Sequence, residues 1–588
     1  MRSGIYSTET QILDVFHFMK SSRSLRETQL RSIEFSVSGS DKPCYLVPMG
    51  AYFKDNSEVI ASMGRWRDSH QYAYPSRFEI TDTGTAKWLK SAVIDNDHRL
   101  LFLIQDPSGK YLGHLGLLKV GEDRCEIDNV LRGESGIPGI VSRALEVVEK
   151  FAYEELGMES LELKVLESNV HAIDFYLNNG YETIDRIGLT NSATGTETNL
   201  VQSETNVSDY FSIMQKNLRD TNTAQAEILT AGPSISNREL TYVGDATMSG
   251  WNHHHSDYIA KFQEQFADYV GAKYAIATSS CTGALHLSLL ALGIGPGDEV
   301  IVPEVTWVAT ASAVRYTGAT PVFADVDPLT WCIDPKSVEQ KITKHTKAIM
   351  PVHLYGFAAD MGAIAKLAKE HNLFIVEDAA PAIGTMIDGV PAGSLGDFGA
   401  YSFQGAKMLV TGEGGMLVTS DPDLYERARK IQDHGRKPGT FWIEELGYKY
   451  KMNNITAALG LAQLERSERQ IDQKRRIASW YREFLGSHKS LSMQHESSNT
   501  RSIHWFNSVT LGDNLNISRD EVMEKLKADG IDTRPVFPPI SQYPFWDRTH
   551  VPGAVATQVG ANSINLPSGV KLSKASIERV CESLVNLI

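Results

Sequence analysis

The chain has 588 residues, 42% hydrophobic and 22% charged, with a formal net charge of −15. This composition is ordinary for a globular protein, and the length provides for several folding units. The acidic balance argues against a nucleic-acid binder, which shows a basic face, yet leaves room for small anionic ligands at a local positive site. The five cysteines, Cys44, Cys125, Cys281, Cys332 and Cys581, form no CxxC pair. Neither a disulfide framework nor a cysteine metal site is expected, and a reducing compartment fits. The first twenty residues lack a signal-peptide core, and no run of about 18 apolar residues occurs anywhere. The expectation is a cytoplasmic protein with no membrane span.

Residues 1–43 have weak patterning and read as an extension of unknown role. "YLGHLGLLKV" (111–120) reads as a strand. Beyond it Ile140, Ala144, Leu145, Val148, Phe151 and Ala152 recur at helical spacing, with Gly157 as the stop. "SLELKVL" follows as a strand, and "NVHAIDFYLNNG" as a short helix capped by Asn169 and closed by Gly180. The polar stretch 219–240 reads as a linker. After it come seven candidate strands: "YAIATS", "DEVIVP", "TPVFADV", "KAIMPVHLY", "LFIVEDAA", "GAYSFQ" and "GGMLVTS". Helical stretches lie between several of them, which implies an α/β fold with a mostly parallel sheet. Ligands of such sheets sit beyond the carboxyl ends of strands. That rule directs attention to Ser280–Gly283, Trp307, Asp378 and Ser402–Lys407.

"SFQGAKMLVTGEGGM" (402–416) sets a lysine beside glycines. A Walker-type phosphate loop places its lysine after the glycines and before a helix. Here Lys407 precedes them and a strand follows, so the glycines read as backbone and Lys407 as a nucleophile. Asp378, at the end of "LFIV", suits a protonated ring nitrogen. Trp307 offers a stacking face. Ser280, Thr282 and Gly283 open a helix, where free N–H groups favour a phosphate. An amine, a ring partner, a stacking face and a phosphate cradle together meet the needs of pyridoxal phosphate. "WNHHHSDY" (251–258) invites a metal reading, but consecutive histidines point in different directions, so no metal is expected.

These motifs, with "MPVHLYG", "VEDAAPAIG", "LGYKYKMNNITAALGLAQLER" and "DTRPVFPPI", resemble the DegT/DnrJ/EryC1/StrS sugar aminotransferases, nearest the perosamine synthase-like branch. The resemblance spans 241–588. It implies a fold-type I pyridoxal phosphate enzyme, with a large domain at about 255–480 and a small C-terminal domain at about 481–588. It also implies that Lys407 binds the cofactor covalently and shuttles the proton. Asp378 holds the ring nitrogen, Trp307 stacks, and Ser402, Thr282 and Gly283 bind the phosphate. Transamination of a nucleotide-linked keto-sugar, with glutamate as donor, follows, as does a homodimer whose partner completes the site through a loop matching "GYKYKM". Cys281, Pro381 and Lys449 depart from the family's pattern, Lys449 standing where an Asn often reaches the phosphate. A dehydrating subgroup carries His in place of the lysine, and Lys407 argues against it.

Residues 111–183 resemble the GNAT N-acetyltransferases, through "EIDNVLRGESGIPGIVSRALEVV" and "LELKVLESNVHAIDFYLNNGYE". The implied domain covers 44–218. The resemblance implies an acetyl-CoA pyrophosphate cradle at Arg132, Gly133, Gly136 and Gly139, one residue off the family's spacing and with Pro138 added. It implies Tyr176 as the general acid for the leaving thiolate and Asn169 near the pantetheine arm. Glu126, on the strand leading to the cradle, is the candidate base. The fusion suggests consecutive amination and N-acetylation of a sugar. A second reading keeps only the aminotransferase active, with the first domain a binding or assembly module. A third makes the whole chain a non-catalytic sensor of its cofactor, which Lys407 and its partners disfavour.

Overall fold

The computed structural model describes residues 8–122, 124–194, 197–218, 227–437, 439–546 and 550–588. The chain divides into two compact units, 1–221 with 236–241, and 222–235 with 242–588.

The first unit is built on a ten-stranded sheet. Its strands run in the order Ile33–Phe35, Cys44–Pro48, Arg99–Gln105, Tyr111–Val120, Arg124–Arg132, Ser160–Leu166, Asp209–Asn217, Glu182–Thr194, Glu197–Gln202 and Ser76–Arg77. Neighbours are antiparallel except at the centre. There Arg124–Arg132 and Ser160–Leu166 run parallel, in register only at Glu126 and Glu162. A parallel neighbour requires a crossover helix, supplied by Ile140–Leu156. All six residues of its apolar stripe are buried, and Gly157 ends it in the left-handed conformation, φ 73°. Asn169 caps the helix Val170–Asn178 by accepting from the Ala172 amide at 3.3 Å.

The weakly patterned N-terminus is part of this core. The helix Thr8–Lys20 buries Ile12, Phe16 and Met19, and Phe35 and Val37 join the same cluster. A spacing of four and then three residues puts those side chains on one helical face.

The second unit contains all seven expected strands in one sheet. Their order is Tyr274–Thr278, Gly415–Thr419, Phe398–Ser402, Phe374–Asp378, Thr346–Ile349, Glu299–Pro303 and Thr320–Ala324. The last five pair in parallel, and Gly415–Thr419 is antiparallel to both its neighbours. "KAIMPVHLY" is extended only over Thr346–Ile349, then tightens into a short 3₁₀ turn at Leu354–Gly356. A smaller four-stranded sheet, Leu491–Met493, Asn507–Leu511, Ser563–Leu566 and Arg534–Pro535, packs its own apolar cluster with the helices Arg519–Ala528 and Lys574–Leu587.

Of the expected linker 219–240, residues 219–226 lie outside the described residues. The described part is not free chain. Ile228 pairs with Ile531, and the Thr230 hydroxyl donates to Asp532 at 2.5 Å, so this stretch is bonded into the second unit. A helix begins already at Asn237. Polar composition concealed these backbone and hydroxyl contacts, which need no apolar periodicity.

Candidate active sites

Asp378 is the last residue of Phe374–Asp378, and Ser402 the last of Phe398–Ser402. Thr278 ends a third strand, and Ser280 then caps the helix Cys281–Ala291. The glycines around Lys407 do backbone work. The loop beyond Ser402 closes on itself through Phe403 N–H to the Gly414 carbonyl (3.0 Å) and Gly405 N–H to the Gly412 carbonyl (2.9 Å). At Gly415 a Cβ would lie 2.6 Å from the Cys281 amide nitrogen, so only glycine lets this strand start against the helix start.

The Lys407 amine has no hydrogen bond or ion pair to any described residue; only its backbone amide is engaged, donating to the Gln404 carbonyl at 2.7 Å. Its Nζ sits 3.9 Å from the centre of the Trp505 ring. Trp505 is held by its indole N–H donating to the Ala406 carbonyl at 2.9 Å, and by Lys474 donating to its own carbonyl at 2.8 Å. Burial pushes the Lys407 amine down to about 8, against the opposing pull of Asp378 and Cys281. The amine, the carboxylate and the helix start therefore lie within electrostatic reach of one another. Asp378 is 4% exposed. Burial raises its carboxyl, opposed first by the Thr310 hydroxyl, which donates to Oδ2 at 2.8 Å, and by the Ala380 amide on Oδ1 at 3.1 Å. Each carboxylate oxygen retains a lone pair for another donor.

Other expected residues are placed differently. The Gly283 amide already donates to the Ser280 hydroxyl at 3.1 Å, an ordinary N-cap bond. Thr282 is partly buried in the same first turn. Trp307 is 58% exposed, its ring 5.8 Å from that of Phe537. Lys449, expected to reach the phosphate, is drawn into a 3.1 Å ion pair with Asp433. The "GYKYKM" loop lies against the strand before the Ser280 helix, with the Tyr450 carbonyl accepting from the Ser279 amide. Thr310 and Trp505 were missed. Both act through contacts distant in sequence, and for Trp505 no local pattern points to the role.

In the first unit Glu126 forms an ion pair with Lys164 at 2.9 Å across the parallel strand pair. That pairing occupies the carboxylate expected to serve as a base. Asp128, two residues on, is half-buried, and burial raises its carboxyl despite Arg99, whose Nε lies 2.7 Å away. Tyr176 is buried, and burial holds its phenol well above the usual range, with Tyr74 and Asp128 adding to the effect. Among the described residues its hydroxyl has no hydrogen bond. Arg132 folds back on the carbonyl of Glu134. Gly133 donates its amide to the Leu112 carbonyl at 2.8 Å, and a Cβ there would come 2.1 Å from the Trp66 ring. Gly136 packs on Leu112, and Gly139, at φ 77°, opens the crossover helix without a side-chain cap. An uncapped helix N-terminus presents free N–H groups to an anion.

Residues 233–585 match the model of the DegT/DnrJ/EryC1/StrS aminotransferase family. The chain belongs to that family. Residues 63–181 match the acetyltransferase (GNAT) family, so a GNAT domain precedes the aminotransferase. Over 360 residues the chain is 42% identical to a GDP-perosamine synthase of Caulobacter vibrioides, covering 61% of this chain and 97% of that protein. Among solved structures it resembles the aminotransferase TlmJ from Streptoalloteichus hindustanus, with 32% identity, a TM-score of 0.58, and coverage of 61% and 98% of the two chains. It also resembles the pyridoxal phosphate form of a putative sugar aminotransferase, Spr1654, from Streptococcus pneumoniae. That match has 27% identity, a TM-score of 0.57, and coverage of 61% and 98%. This is a sugar aminotransferase of the pyridoxal phosphate-dependent kind, and its residues fit that cofactor. An unpartnered amine depressed to about 8 suits covalent attachment, and a buried carboxylate with acceptor capacity suits a ring nitrogen. No helix among the described residues is long and apolar enough to cross a membrane.

Proposed function

We propose that the chain performs two consecutive steps of amino-sugar formation. The second unit, taken as 241–588, aminates a nucleotide-linked keto-sugar with glutamate as donor. The first, taken as 44–218, transfers an acetyl group from acetyl-CoA to the new amine. The observation that carries the first step is Lys407, a largely buried amine with no hydrogen-bond or ion-pair partner, beside the buried carboxylate of Asp378. Pyridoxal phosphate, when bound, supplies an electron sink that makes a proton next to nitrogen removable. Lys407 Nζ, neutral above about pH 8, is the nucleophile that holds the cofactor and the base that moves this proton. Asp378 accepts a hydrogen bond from the ring nitrogen and keeps it protonated, with Thr310 holding the carboxylate ionised. Trp307 stacks on the ring, and Thr282, Gly283 and Ser402 hold the phosphate. The Gly283 amide exchanges its bond to Ser280 for that role, and Lys449 takes part once released from Asp433. A second copy of the chain completes the site.

The 42% identical relative is named for GDP-perosamine, so the keto-sugar nucleotide that yields it on amination is the first substrate to test. For acetyl transfer, the uncapped helix start at Gly139, with Arg132, Gly133 and Gly136, holds the pyrophosphate, and Asn169 lies along the pantetheine arm. Tyr176 donates its proton to the departing sulfur. Glu126 enters as base only if it leaves Lys164. The test is incubation with pyridoxal phosphate, glutamate, acetyl-CoA and a panel of keto-sugar nucleotides, read by mass spectrometry. An N-acetylated sugar nucleotide is expected. A free amino sugar as sole product leaves only the aminotransferase active, and no amination of any substrate overturns the proposal.

A further inference from the structure

The first unit encloses a cavity of about 560 Å³ that the expected site residues do not line. Its walls include Arg67, Tyr74, Phe78, Trp88, His114 and Asn129. This volume is within the range of small-molecule sites, which are mostly apolar with a few placed polar groups. Two of those groups are unusual.

The first is His114, 4% exposed on the strand Tyr111–Val120. Its Nδ1 lies 2.7 Å from the carbonyl of Asn129. A carbonyl only accepts, so Nδ1 carries the hydrogen. Burial drives the imidazole down to about 4, so the ring is neutral near pH 7 and Nε2 holds a lone pair. Nε2 has no partner among the described residues. Asn129 is itself unusual: at φ 51° it stands in the left-handed region, beside the irregular register that separates His114 from Gly116. The pairing of the two strands is irregular where the imidazole is held.

The second is Arg67. Its guanidinium lies 3.2 Å from the centre of the Tyr74 ring and donates to the Ser76 carbonyl at 3.1 Å. Among the described residues no carboxylate stands within ion-pair distance of it. The cavity's other guanidinium, Arg99, is already paired with Asp128. A half-buried cation without a counter-charge is open to pairing with an anionic ligand.

Tyr74 in the cavity wall, and Asp128, paired with Arg99 of that wall, lie close enough to Tyr176 to act on its phenol. We propose that this cavity is the acceptor site for acetyl transfer and takes an amino-deoxysugar carried on a nucleoside diphosphate, with Arg67 pairing with the diphosphate and His114 Nε2 accepting the proton of the attacking amine. The inference rests on the acetyl-transfer reading above and replaces Glu126 with His114 as base. The step balances. A C–N bond forms between the sugar nitrogen and the acetyl carbonyl carbon, and the C–S bond breaks with its electron pair on sulfur. Tyr176 gives sulfur a proton, and the proton released by nitrogen passes to His114. Nitrogen bonded to the tetrahedral carbon is far more acidic than a free ammonium, so a weakly basic imidazole suffices. The aromatic walls suit the faces of the base and the sugar.

The test uses the full-length protein, acetyl-CoA and GDP-perosamine, with release of free thiol followed over time. His114→Asn keeps a donor for the Asn129 carbonyl while removing Nε2. It should lower kcat at least tenfold with the acetyl-CoA Kd and the melting temperature unchanged, and His114→Gln, whose amide cannot take up a proton, should not recover the loss. Arg67→Met should raise KM for GDP-perosamine at least tenfold and leave KM for the methyl glycoside of the same amino sugar within twofold. Equal effects of Arg67→Met on the two acceptors, or an undiminished kcat in His114→Asn, would overturn the assignment while leaving acetyl transfer standing. Failure of the unsubstituted protein to release thiol with either acceptor overturns both.

Discussion

Replacing Thr310 with Val removes one hydroxyl at nearly constant shape. Thr310 is 1% exposed and Asp378 4%, and their bond is 2.8 Å. Hydrogen bonds to charged groups contribute about 1.5–3 kcal/mol, and neutral ones about 1 kcal/mol. Because the bond is worth more to the charged carboxylate than to the neutral acid, losing it raises the Asp378 carboxyl further. That carboxyl is already raised by burial, so its folded pKa exceeds its unfolded one. Folding then takes up a proton in the window between them, and stability falls as pH rises through it. The substitution widens the window upward. Urea unfolding of the cofactor-free protein, taken on the transition of the second unit, should show Thr310→Val losing about 1.5–3 kcal/mol at pH 8 and about 1 kcal/mol at pH 5. Thr310→Ser retains the hydroxyl and should show no such pH dependence. An equal loss at both pH values would mean that the bond does not sense the carboxylate's charge, and the role given to Thr310 would fall.

Lys407→Ala should abolish both transamination and the visible absorbance of the bound cofactor, while acetyl-CoA Kd by calorimetry stays unchanged. Because burial lowers the Lys407 amine to about 8, uptake of pyridoxal phosphate by cofactor-free protein, followed by absorbance, should accelerate through pH 8 and level off above it, well below the ordinary lysine range. Tyr176→Phe should reduce thiol release by about 10²–10⁴-fold with acetyl-CoA binding intact, as for loss of a general acid. Gly133→Ala drives a methyl into the Trp66 ring, and should cost about 1–3 kcal/mol, read as a lower melting temperature of the first unit.

The second unit's sheet was legible because strands buried on both faces read as unbroken apolar runs. The rule that ligands gather at strand ends then singled out Asp378, Ser402 and Lys407 without any knowledge of strand order. What stayed hidden depends on partners remote in sequence. Trp505 meets Ala406 from 99 positions away, and nothing in "IHWFNS" announces it. Lys449 and Glu126 were read from their positions in the motifs, yet each is engaged by an opposite charge, Asp433 and Lys164, that only the fold brings near. His114 sits inside "YLGHLGLLKV", which reads as a strand but does not announce the left-handed Asn129 on the next strand whose carbonyl holds the ring. In the N-terminal helix the signal was present, as Ile12, Phe16 and Met19, but too short to separate from its polar surroundings.

The stretch just before the aminotransferase match begins has a practical consequence for dissecting the protein. The family match starts at 233, but Ile228 is hydrogen-bonded through both its amide and carbonyl to the 530–532 backbone, and the Thr230 carbonyl accepts from the Ser568 amide. Cutting the gene at the family boundary would strip a short backbone ladder from the edge of the C-terminal sheet region. It would leave the Asp532 carboxylate without its hydroxyl donor and the buried Ile531 without its cover. A stand-alone aminotransferase fragment is better begun upstream of Ile228. One begun at 233 is expected to be the less soluble and less heat-resistant of the two.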